Sequence, residues 1–178
     1  MTVLHTWSPE DRLLGAVAPV ALAVAAGTAL VVDLDPEGPA YPGDVSLKQL
    51  VEEGPRLADL RPVRRGVAVL RNGGVDSDAS ADVVAALLAG WPATVLRLPA
   101  ARPAGIVHVV PVLPVTPVTV GSGPAVYQRG PWPAPEQLDG VVLPRPRPGT
   151  IRALLEGRRP GPSRWMRAWA KVWRMPWA

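Results

Sequence analysis

A chain of 178 residues with 48% hydrophobic content is long enough for one proper core and too short for several. It has no Cys, which excludes disulfides and thiolate metal sites, and no Phe, so the core has to be built from Val, Leu, Ala and some of the seven Trp. The net charge of +4 conceals an asymmetry: residues 1–140 carry ten basic and fourteen acidic side chains, residues 141–178 nine basic and one acidic, Glu156. An acidic body with a basic tail directs attention to anionic partners for the tail.

The first predicted element is a short apolar strand at residues 2–7. The leader lacks the basic segment of a signal peptide and is followed by Glu10 and Asp11. Residues 8–11 read as a turn and helix start, with Ser8 as cap, Pro9 at the first helical position and acids in the first turn. Residues 13–32 hold no charge and are long enough to span a bilayer. They are nevertheless rich in Ala and Gly, contain Pro19, and divide at Gly27-Thr28 into a helix at 13–26 and a strand at 29–34. Strand, helix, strand in this span is one β-α-β unit, which predicts a parallel sheet.

A Gly/Pro loop at 36–44 leads to a short amphipathic helix at 45–53. A third strand follows at 66–70 and ends in the turn Asn72-Gly73-Gly74. A helix is predicted at 77–90 with Ser77 or Ser80 as cap, then strands at 93–98 and 106–113. Residues 114–135 contain six prolines and read as edge strand or loop. A last strand at 139–144 and a short helix at 150–156 precede the basic, Trp-rich tail. His5 and His108 sit in apolar strand-like runs and read as core histidines.

The run Val32-Asp33-Leu34-Asp35-Pro36-Glu37-Gly38 ends an apolar strand in two alternate carboxylates. Its D-x-D-P-x-G pattern, one helix after an N-terminal strand, resembles the MinD/ParA family of P-loop ATPases and their actinobacterial relatives. The resemblance covers residues 2–99 well and the remainder loosely. It implies an α/β fold, a mostly parallel sheet with flanking helices, P-loop-NTPase-like but shortened, with a C-terminal amphipathic helix added. It divides the chain into an α/β domain at 1–157 and a basic helix at 158–178.

The family's phosphate loop falls at residues 9–16, where glycines, a Lys and a Ser/Thr are required. Here Glu10, Asp11, Arg12 and Gly15 occupy it, with Ala16 at the metal-side position. Arg97 stands where the family places a strand-end aspartate, and an arginine cannot serve a magnesium ion. Asp35 matches the carboxylate that positions water in the family, and Asp33 and Asp35 read as retained strand-end groups that either cap or pair with a nearby Arg. The expectation is a degenerate site without catalytic residues, cofactor or metal.

In the tail, Trp165, Met166, Trp169, Val172 and Trp173 share a helical side, with Trp177 beyond, while Arg164, Arg167, Lys171 and Arg174 share the other. Such a helix suits an anionic membrane surface, and MinD-type proteins end in a comparable one. It also suits docking on a partner protein or on the chain's own core. Nucleic acid is disfavoured. The expected role is a pseudo-ATPase scaffold or adaptor in the cytoplasm, peripheral at the inner face of the cell membrane. The alternative is a soluble regulatory subunit that pairs with an active ATPase of the same fold, its tail docking on that partner, in a homo- or heterodimer with a MinD/ParA-like protein.

Overall fold

The computed structural model describes residues 2–9, 11–99, 106–112, 124–131, 138 and 140–177. Strands β1 (Thr2–Trp7), β2 (Ala29–Asp33), β3 (Val67–Leu70), β4 (Ala93–Arg97), β5 (Ile106–Val112), β6 (Ala125–Arg129) and β7 (Gly140–Leu143) form one sheet. Its order is β3-β2-β4-β1-β5-β6-β7, and every strand pair is parallel. The helices are α1 (Arg12–Ala26), α2 (Leu47–Glu53), α3 (Ala81–Gly90), α4 (Pro148–Leu155) and α5 (Arg164–Val172). The chain is thus α/β with flanking helices, as the β-α-β pattern predicts.

Two apolar clusters sandwich the sheet. Val31 and Val95 face α1 and α5, while Leu30, Val32 and Leu96 face α2 and α3. This alternation is the period-2 pleat of strands buried on both sides, which is why β2 and β4 read as continuous apolar runs. The uncharged run at 13–32 resolves into α1 and β2, separated at Gly27, whose φ of 91° ends the helix. Helix α1 continues through Pro19. No helix among the described residues is long and apolar enough to cross a membrane.

Several boundaries differ from expectation for identifiable reasons. Helix α1 starts after Asp11, not at Ser8-Pro9: the Asp11 carboxylate accepts from the Leu13 and Leu14 amides, and Ser8 Oγ instead donates to the Val109 carbonyl at 2.6 Å. Helix α3 starts at Ala81 because residues 76–80 form a turn, in which the Asp78 amide donates to Asp76 Oδ1. Ser80 precedes it without a side-chain cap bond, donating to the Ser77 carbonyl. Within the Pro-rich region, β6 lies between β5 and β7 rather than at an edge. The rest of the span predicted at 114–135 lies largely outside the described residues.

Helix α5 belongs to the main core. Trp165, Met166, Trp169 and Val172 are buried in the cluster that contains α1, and the Trp165 and Trp169 rings meet edge to face at 5.4 Å. Trp165 Nε1 donates to Gln128 Oε1 on β6, and Trp173 Nε1 to the Leu22 carbonyl on α1. Trp177 Nε1 turns back to the Val172 carbonyl. Ser163 caps α5 through the Met166 amide. The apolar side of the tail therefore faces the protein's own core, while Arg164, Arg167, Lys171 and Arg174 remain exposed.

Trp169 is 0% exposed, and its Nε1 has no hydrogen-bond partner among the described residues. Trp169→Ala should cost about 3–5 kcal/mol of unfolding free energy. Trp169→Phe keeps most of the packing and deletes an unpaired N–H, so it should cost less than about 2 kcal/mol. Urea unfolding of both variants tests this; equal losses would show that the indole N–H is satisfied after all.

Candidate functional site

In a parallel sheet with helices on both faces, ligand crevices form outside the C-terminal strand ends, near the point where the strand order reverses. Here that place is the end of β1, flanked by β4 and β5, with the end of β2 beyond β4. A cleft of about 160 Å³ lies there, lined among others by Ser8, Arg12, Gly15, Asp35, Glu37 and Arg97. The sequence-predicted residues Arg12, Gly15, Asp35 and Arg97 thus converge, Asp33 and Asp11 stand beside them, and Glu10 lies outside the described residues.

The β2–β4 register makes Asp33 and Arg97 direct neighbours. Neighbouring residues of a ladder share a face, so the two side chains meet. Arg97 Nη1 lies 3.4 Å from Asp33 Oδ2, and Nη2 lies 2.9 Å from Asp35 Oδ2. Nη1 also donates to the Pro39 carbonyl at 2.8 Å, and the guanidinium lies over the Tyr41 ring at 5.5 Å. Arg97 is only 3% exposed and Asp33 1%. The expected pairing of the two strand-end carboxylates with an Arg is realised, with Arg97 serving both.

The loop after β2 is shaped around this cation. Asp35 Oδ1 accepts from the Glu37 and Gly38 amides, and Asp33 Oδ1 from the Asp35 amide. A Cβ on Gly38 would overlap the guanidinium and the Asp35 carboxylate, so glycine is required by close approach. The buried Tyr41 hydroxyl donates to the Ala16 carbonyl of α1 at 2.8 Å, and burial raises its pKa far above the usual phenol value. Asn72, read as a turn residue, is buried: its side chain holds the Gly74 and Val75 amides and donates to the Asp33 carbonyl.

Two electrostatic facts decide what the cleft can do. The start of α1 is an anion seat by virtue of its free amides, and Asp11 fills it, accepting from Leu13 N at 2.8 Å and Leu14 N at 3.1 Å. Arg97 in turn places a positive charge between the carboxylates that a metal would need. Among the described residues no group of three or more His, Cys, Asp or Glu is placed to hold a metal ion. His5 and His108 do not line the cleft; His108 stacks on Trp7, with ring centroids 4.7 Å apart.

Sequence reasoning missed Tyr41, Pro39 and the role of Ser8. Nothing in a Gly/Pro loop marks which residue will cover a distant strand end. Gly38 was visible as the last position of its motif, although the structure gives it a different use. Comparison with known protein families, with characterised proteins and with solved structures gives no match.

Burial pushes the Asp33 carboxyl up to about 6, while Arg97 pulls the other way. The folded state therefore holds this proton to higher pH than the unfolded chain, whose group titrates near 3.8. In the interval the folded state binds more protons, so the contribution of Asp33 to stability falls as pH rises from about 4 to about 6. Asp33→Asn should remove that slope from a pH series of urea midpoints. Arg97→Met should cost roughly 3–5 kcal/mol at neutral pH by leaving buried carboxylates uncompensated. The loss should shrink at pH 5, where Asp33 can protonate. A loss independent of pH would show that Arg97 acts by packing alone.

Proposed function

We propose that the chain is a catalytically inactive MinD/ParA-like domain that works as an adaptor, through its surfaces and not through turnover. The observation that carries this reading is the occupation of the strand-end crevice by the chain's own charges. Asp11 takes the helix amides that would meet a phosphate, and Arg97 takes Asp33 and Asp35. A nucleotide entering there would have to displace both, and among the described residues no lysine lines the cleft to offset that loss.

Between the two modes of action, pairing with an active ATPase of the same fold, through a surface other than the apolar side of α5, is favoured over anchoring at the inner face of the membrane. Inserting α5 into lipid would strip Trp165, Met166, Trp169 and Val172 from the core and leave the apolar α1 and β7 side chains of the same cluster facing water. Its cationic side, with Arg164, Arg167, Lys171 and Arg174, is free to face an anionic surface without insertion.

Magnesium-ATP should release no phosphate, and calorimetry should give no nucleotide heat that depends on the β1–α1 crevice, so that Arg12→Gln leaves any heat unchanged. Phosphate release, or affinity lost on Arg12→Gln, would overturn the pseudo-enzyme reading. For the mode of action, tryptophan emission should not shift when anionic vesicles are added. A blue shift together with flotation would return the anchor reading to first place.

A further inference from the structure

The same edge of the sheet carries a second cleft, at its far end. It measures about 490 Å³ and is lined by Arg145, Arg147, Arg164 and Arg167, together with Pro144, Ser163 and others. Arg145 and Arg147 lie just beyond the C-terminal end of β7, and Arg164 and Arg167 lie one turn apart at the start of α5. Arg145 is steadied by its Nε, which donates to the Gly130 carbonyl beyond β6 at 2.7 Å.

None of the four forms an ion pair among the described residues. Like charges converging on one cleft repel one another, and a bound anion removes that cost. Guanidinium forks suit phosphate oxygens, which accept two parallel N–H bonds from each. Ser163 Oγ satisfies the Met166 amide, but the Arg164 and Trp165 amides have no intrahelical acceptor and add partial positive charge at the same place. Four guanidiniums and a cleft of this size exceed what a single phosphate can use.

We propose that this cleft binds a polyphosphate group, carried either on a free anion or by clustered lipid headgroups. The inference goes beyond the adaptor reading and stands whether or not the β1–α1 crevice accepts a nucleotide. At that crevice the anion seat holds Asp11; at the β7–α5 cleft no carboxylate lines the walls among the described residues.

The test compares two variants of equal charge change on one helix: Arg164→Gln with Arg167→Gln inside the cleft, and Lys171→Gln with Arg174→Gln outside it. All four side chains are exposed, so both proteins should keep the wild-type melting temperature. Calorimetry with inorganic tripolyphosphate at low ionic strength should show binding by the wild type, weakened about tenfold or more in the cleft variant and little changed in the other. A parallel arm uses phosphatidylcholine vesicles containing phosphatidic acid. Flotation without tripolyphosphate binding, lost only in the cleft variant, assigns the phosphates to lipid. Equal weakening in both variants, or no binding to either probe, overturns the proposal.

Discussion

A guanidinium buried between two carboxylates is the constraint on which the strand-end crevice depends. A buried cation is tolerated only with its charge met at close range and its remaining donors used. Arg97 achieves this with Asp33 and Asp35 on β2 and the loop after it, and with the Pro39 carbonyl. Those partners fix the path of residues 33–39, require glycine at 38, and bring Tyr41 under the guanidinium and against α1. One side chain thereby ties β4, β2 and the loop together and, through Tyr41, reaches the first helix. Arg97 therefore acts as a structural residue, although it stands where the resemblance places a strand-end aspartate on the metal side.

Aromatic mass follows a similar logic. A chain without Phe and with a Val/Ala-rich helix at its centre has little bulk with which to fill the space between sheet and outer helices. Trp165 and Trp169 supply it from the C-terminal helix, meeting α1 where its side chains are mostly Ala and Val. Small residues on α1 allow close approach, and large ones on α5 fill the gap. The segment that reads as an appendage is thus needed to close the core, and its amphipathic pattern follows from having one side on α1 and the other in water.

Much of the fold was legible in the sequence because the strands are apolar runs bounded by Gly, Pro or charge, and the helices between β1 and β4 set the parallel order of that half. Asp33 and Asp35 could be read as strand-end groups able to cap or to pair with an Arg, and the structure identifies that Arg as Arg97. What the sequence did not settle was competition between local signals: Ser8, Pro9 and Asp11 all offer a helix start, and only the packing of Ser8 against Val109 decides for Asp11. The destination of the Trp side was equally ambiguous, since a stripe that fits lipid also fits an Ala-rich helix. Tyr41 left no trace, because its role depends on a loop path that the Arg97 cluster itself dictates.

These features together suggest how charge is distributed along one edge of the sheet. All seven strands are parallel, so all seven C-terminal ends emerge on the same side, where helix amides also gather. At β1 and β2 the chain neutralises that side from within, with Asp11 on the amides and Arg97 between carboxylates. At β7 it does the reverse, bringing two arginines beyond the strand and two at the start of α5 to one cleft without an acidic partner among the described residues. An edge that is electrically closed at its centre and open at its end has moved its capacity for anions away from the crevice where the fold would place it. The −4 of the first 140 residues and the +8 of the remainder follow the same division, because the acidic groups that close the crevice belong to the body and the arginines of the second cleft to the tail.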